Sequence, residues 1–158
     1  MVRKHLSFVF GLCVSAGFFL PAAADDTLSK AQAFFTEFVR KGDAYDTSLA
    51  EMYADSVRYE VHVTMPDGQL SSQNLNAVQV RDMVRQTLPM AAHQKAKVDF
   101  KNVAYEKTPE GVKVTARVAY RDMCYTDDQY MMIIARDTKG TEKITHEVLR
   151  LPAASQCR

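Results

Sequence analysis

No cysteines stand at C-x-x-C spacing, no histidines at H-E-x-x-H or H-x-H spacing, and no loop is rich in aspartate. Those absences remove the usual signatures of a redox dithiol and of a metal centre, so neither a metal nor a cofactor is expected. A Gly-rich phosphate loop and a G-x-S-x-G elbow are missing too, which removes the common phosphate cradle and the hydrolase nucleophile. An excess of charge of one sign is also lacking. The chain has 20 Lys and Arg against 19 Asp and Glu, with the signs interspersed, which argues against a nucleic-acid partner or a polybasic membrane patch. Beyond Leu20 no apolar run is long enough to span a bilayer. Repeats, low-complexity tracts and linkers are absent, so residues 25–158 read as one domain.

What is present begins with a leader. Arg3, Lys4 and His5 precede an apolar run from Leu6 to Leu20, and "PAAADD" follows with Ala22 and Ala24 as small residues. This is the pattern of a secretory signal over residues 1–24, cleaved near Ala24, and it predicts a periplasmic or secreted protein. Cys13 falls in the leader behind Leu12, which is not the small residue a lipoprotein anchor needs. Cys124 and Cys157 remain, and in an oxidising compartment two such thiols are expected to pair. Closing a loop of about 33 residues would stabilise the fold by about 3–4 kcal/mol in the chain-entropy account.

The chain reads as α+β. Leu28, Ala31, Phe34, Phe35, Phe38 and Val39 recur at helical spacing over 26–41, with Gly42 to end that helix. Ser48 and Glu51 have capping-box spacing for a second, short helix ending near Ala54. From Ser56 to Met65 the chain alternates, with Val57, Tyr59, Val61, Val63 and Met65 on one face and Arg58, Glu60 and His62 on the other. "MPDGQ" then predicts a turn into a short return strand over 69–72. Asn76 with Gln79, and Leu75 with Val80, sign the start of a third helix, and Pro89 marks its end. Four strands follow, over 97–106, 112–120, 129–136 and 143–151. A slip of phase between Phe100 and Val103 predicts a bulge, and "QYMMIIAR", apolar on both faces, predicts a central strand. In such a meander Cys124 follows the second strand and Cys157 the fourth, so both leave the sheet at the same edge.

That order of elements, with "LAEMYADSVRYEV" at the junction of second helix and first strand, resembles the nuclear transport factor 2-like superfamily. The superfamily includes ketosteroid isomerase, scytalone dehydratase and SnoaL-type polyketide cyclases. The resemblance implies a cone: a curved, mostly antiparallel sheet wrapped around three helices from the N-terminal half, with a pocket at its open end. It implies a homodimer through the sheet as well. Ketosteroid isomerase carries a general-base aspartate eight residues after the tyrosine of this motif. Counted from Tyr53, that position is Val61, which cannot take a proton. The isomerase mechanism is therefore not carried over, and the chain leans away from being an enzyme.

Several residues remain as candidates. Glu60 and His62 share a strand face and could act as a base with its orienter, or belong to a polar outer surface. His146, between Ile144 and Val148, is the histidine expected to face inward. Phe34, Phe38, Tyr53, Tyr59, Val61, Met83, Tyr120, Tyr130 and His146 are expected to line a pocket suited to a small apolar ligand. Arg117, Arg121 and Arg136 form a row for the outer face. Three readings follow: an exported, non-catalytic binding or accessory protein; an isomerase, dehydratase or cyclase using Tyr59 and His146 with Glu60 or His62; or an interaction module of an envelope complex, docking a protein partner through the outer sheet face.

Overall fold

The computed structural model describes residues 26–154 with 156 and 157; the predicted leader and its cleavage site lie outside these residues. Helix α1 (Asp26–Asp43) is followed by a 3-10 helix (Thr47–Met52), strands β1 (Tyr53–Thr64) and β2 (Leu70–Leu75), and helix α2 (Ala77–Gln94). Strands β3 (Val98–Thr108), β4 (Gly111–Tyr120), β5 (Tyr125–Arg136) and β6 (Glu142–Pro152) complete the chain, with a 3-10 turn at Arg121–Met123. The six strands form one curved, unclosed mixed sheet in the order β2-β1-β6-β5-β4-β3. Only β1 and β6 run parallel; the other neighbours are antiparallel. The fold is the α+β arrangement that the sequence predicts.

The core lies between the helices and one face of the sheet. α1 buries Ala31, Phe35 and Phe38, and packs on β3, β4 and β6. α2 buries Ala77, Val80 and Val84 against β1, β2 and the first 3-10 helix. Opposite them stand Val112, Val114, Ala116 and Val118 of β4, and Tyr130, Met132 and Ile134 of β5, all buried. The β3–β4 hairpin needs Gly111: its φ is +141°, and a Cβ there would sit 2.4 Å from the carbonyl oxygen of Ile134.

Local differences from the sequence reading have identifiable causes. α1 runs through Gly42, and Tyr45, with φ +54°, takes the left-handed position instead. Tyr45 N donates to Gly42 O and Asp46 N to Lys41 O, which closes the helix in a Schellman motif. The next helix is 3-10 and is capped by the Asp46 carboxylate, which accepts from Ser48 N, so Ser48 is not the cap. β1 starts at Tyr53, and beyond Tyr59 its inward face opens: Val61 and Val63 are half-buried and Met65 is exposed. α2 has the expected capping box of Asn76 and Gln79, but it continues past Pro89 to Gln94. Pro89 is on the exposed side, where the carbonyl it leaves unpaired can meet water. The bulge in β3 falls where the phase slips, between Lys101 and Ala104, with Asn102 at φ +53°. A disulfide joins Cys124 to Cys157, with Cα atoms 5.0 Å apart, and ties the C-terminal tail to the turn after β4.

Candidate functional site

Between the sheet and the C-terminal halves of both helices is a cavity of about 270 Å³. α1 contributes Phe38 and Val39, with Asp43 at the rim; α2 contributes Met83, Val84, Thr87, Leu88 and Ala91. The sheet contributes Tyr53 and Tyr59 from β1, Val98 and Phe100 from β3, Tyr120 from β4, Tyr130 from β5, and Glu147 and Leu149 from β6. The Tyr45 hydroxyl donates to Ala96 O at 2.8 Å, which fastens the end of α1 to the end of α2 beside the cavity. The walls are aliphatic and aromatic with one carboxyl group set into them, the composition of a small-molecule site.

That carboxyl group is Glu147, 2% exposed. Tyr53 Oη donates to its Oε2 and Tyr130 Oη to its Oε1, both at 2.7 Å. Burial favours the neutral acid, while the two phenol donors favour the carboxylate. Burial is the larger effect, and the pKa is pushed up from 4.5 to about 7. The same burial, with the neighbouring Glu147 charge, drives the Tyr53, Tyr59 and Tyr130 hydroxyls well above their ordinary value, so they stay protonated donors. The rings are mutually braced: Tyr53 meets Tyr59 edge-on at 5.9 Å, and Phe100 meets Tyr130 at 5.3 Å. Behind the site Arg81 donates to the Tyr53 carbonyl and to Asp55, each at 2.7 Å, which fixes the start of β1. Neither the Tyr59 nor the Tyr120 hydroxyl has a hydrogen-bond partner among the described residues.

The inward histidine expected from the sequence is corrected. Ile144 pairs with Ile134, but the next pair on β5 and β6 is Ile133 with His146, so Thr145 is an extra residue in β6. This bulge reverses the phase of everything after it. His146 turns to the outer face and Glu147 turns inward, beside Tyr59 on the parallel neighbour β1. On the outer face His146 Nδ1 accepts from Arg58 at 3.2 Å, so its Nε2–H donates to Glu60 Oε1 at 2.9 Å. Glu60 Oε2 stands 3.7 Å from His62 Nε2, and His62 Nδ1 meets Ser72 Oγ at 2.7 Å.

The set of Tyr59 with His146, Glu60 and His62 is therefore split across the sheet: Tyr59 lines the cavity and the other three form an outer-face network. Of the expected pocket residues, Phe38, Tyr53, Tyr59, Met83, Tyr120 and Tyr130 line the cavity, whereas Phe34, Val61 and His146 do not. Phe34 and Val61 pack against the edge of the core. The basic row pairs locally, Arg117 with Asp128, Arg121 with Asp99 and Arg136 with Glu142. Among the described residues no group of three or more His, Cys, Asp or Glu is placed to hold a metal ion. The sequence reading missed Glu147, although a signal was present. Leu149 and Leu151 keep step with Glu147 and not with Ile144, the same slip of phase that marks the bulge in β3.

An α+β cone with an apolar cavity at its open end defines a class of folds, and solved structures place the chain within it. No protein-family model matches the chain, and no curated protein matches it in sequence. Among solved structures, a nuclear transport factor 2-like protein with a cystatin-like fold from Novosphingobium aromaticivorans aligns over 79% of this chain and 81% of its own, at 9% identity and TM-score 0.53. A nuclear transport factor 2-like protein of unknown function from Pseudomonas putida covers 76% of this chain and 82% of its own, at 11% identity and TM-score 0.50. The yeast UBP3-associated protein BRE5 covers 77% and 92%, also at 11% and 0.50. The chain has the nuclear transport factor 2-like fold, as its sequence resemblance implied.

Proposed function

We propose that this protein binds a small, mostly apolar molecule in the cavity between its helices and sheet. The observation that carries the reading is the composition of that cavity: aliphatic and aromatic walls around one buried, hydrogen-bonded carboxyl group. A core that served stability alone would gain nothing from burying Glu147, because removing a carboxyl group from water is costly. The apolar leader and the joined cysteines support an exported protein acting outside the cytoplasm. The test is a titration of isotope-labelled protein with a small soluble apolar probe, 2-phenylethanol, followed by amide NMR. Saturable shifts clustered around Tyr53, Tyr59, Tyr120 and Tyr130 are expected; shifts scattered over the surface, or none, would contradict the reading.

A second reading is favoured by one observation. Glu147 ionises near neutrality and touches the cavity, so it can accept a proton from a bound molecule and return it. This acid comes from β6 and stands apart from the vacant position at Val61 on β1. The interaction reading has less support. Of the exposed large apolar residues, Val78 and Met90 lie on α2 and Met65 in the β1–β2 turn, so among the described residues Leu70, opposite Thr64, is the single one of the four on the outer sheet face.

A further inference from the structure

We infer, resting on the reading that the cavity binds a small molecule, that its ligand is a hydrophobic amine whose protonated nitrogen pairs with Glu147. Asp43 at the rim and Glu147 at the floor are both acidic, and no Lys, Arg or His lines the cavity. A carboxylate or phosphate ligand would meet like charge in a poorly solvated site, which is costly. The ionised Glu147 itself lacks a counter-charge: its protein partners are the neutral phenols of Tyr53 and Tyr130. Those two bonds leave the carboxylate further acceptor capacity, and a ligand cation would supply the missing charge.

The acceptors also fit. An ammonium group carries up to three N–H donors and no acceptor. The cavity offers it the carboxylate together with the Tyr59 and Tyr120 oxygens, which are unpartnered among the described residues. Aromatic rings attract cations, and the cavity is lined by seven, five of them, from Tyr53, Tyr59, Phe100, Tyr120 and Tyr130, on the strands of the sheet that carries Glu147. The aliphatic side, from Val39, Met83, Leu88 and Leu149, would hold the apolar body of the ligand. The groups facing Glu147 from the packed elements are Tyr53 and Tyr59 of β1, Tyr120 of β4 and Tyr130 of β5, and none of them is a competing cation.

The experiment compares three probes of similar size by calorimetry: 2-phenylethylamine, 2-phenylethanol and 3-phenylpropionate, at about pH 8, where Glu147 is mostly ionised. The amine is expected to bind about tenfold or more tighter than the alcohol, as a charge-assisted hydrogen bond implies, and the carboxylate weakest. In E147Q the amine and alcohol should converge to within about twofold. If the alcohol binds as tightly as the amine, or E147Q keeps the preference, the amine assignment is overturned while the binding reading stands. If neither amine nor alcohol binds, both fall. Should E147Q fail to fold, the ranking of the three probes on the unaltered protein decides the matter alone.

Discussion

Glu147 makes the folding free energy depend on pH in a particular direction. Its pKa is about 7 in the folded chain against 4.5 for an ordinary glutamate, so the folded state holds this proton more tightly than the unfolded state. The stability it contributes is fully present below about pH 4.5 and is lost as pH rises through 7. The stability of the natural chain relative to E147Q should therefore fall by roughly 3 kcal/mol between those limits. Urea denaturation at a series of pH values measures it, and a difference that stays flat or rises with pH contradicts the burial argument. Tyr53 and Tyr130 act on the same group, each donating to one carboxylate oxygen. Y53F or Y130F should raise the Glu147 pKa further and cost about 1–3 kcal/mol at pH 8. Carboxyl-carbon NMR of Glu147 follows the first effect, and an unmoved or lowered pKa would contradict it. The tyrosines were legible in the sequence as inward residues. Glu147 was not, because alternation counted from Ile144 assigns it to solvent, and only a bulge reverses that assignment.

Bulges decide what the elements of this fold present. In β6 the extra Thr145 exchanges His146 for Glu147. In β5 a shift of register accompanies the burial of Asp127, which is 1% exposed and accepts from Gln129 N at 2.8 Å and Arg150 N at 2.9 Å. D127A would leave both amides without that acceptor and should cost about 2–4 kcal/mol, with D127N less damaging; denaturant midpoints give the ranking, and a neutral D127A would contradict it. Helix α2 has its own irregularity. Pro89 sits inside it on the exposed side, so P89A restores one helical hydrogen bond and should raise stability by about 1–3 kcal/mol. A lower melting temperature for P89A would show that the ring has a packing role. Element types and order were legible because the periods are long and clean: period two over β1 and β4, helical spacing over α1 and α2. Boundaries were not, because Gly42, Ser48 and Pro89 each suggest a helix terminus that local geometry moves: Tyr45 takes the left-handed position, Asp46 supplies the cap, and Pro89 is carried on the exposed side of α2.

At the scale of the whole molecule a disulfide ties the C-terminal tail back to the turn after β4. The Cys124–Cys157 bridge joins residues 33 apart, and replacing both by alanine should cost about 3–4 kcal/mol while leaving the sheet intact. A melting temperature unchanged by the replacement would contradict that. The disulfide was legible from the secretory signal pattern that the sequence carries and from the order of the meander strands. The location of the cavity was only partly legible, since the tyrosines around Glu147 come from three strands and Glu147 from a fourth, and only the curved sheet converges them. The central claim is that this cavity holds a small molecule, and native mass spectrometry of the protein isolated from its own source cells tests it most directly. A discrete added mass on the folded protein, lost on denaturation and absent when the cavity is blocked by L88W, is the predicted result. Protein of bare sequence mass in every preparation, with no species released on unfolding, would contradict the account.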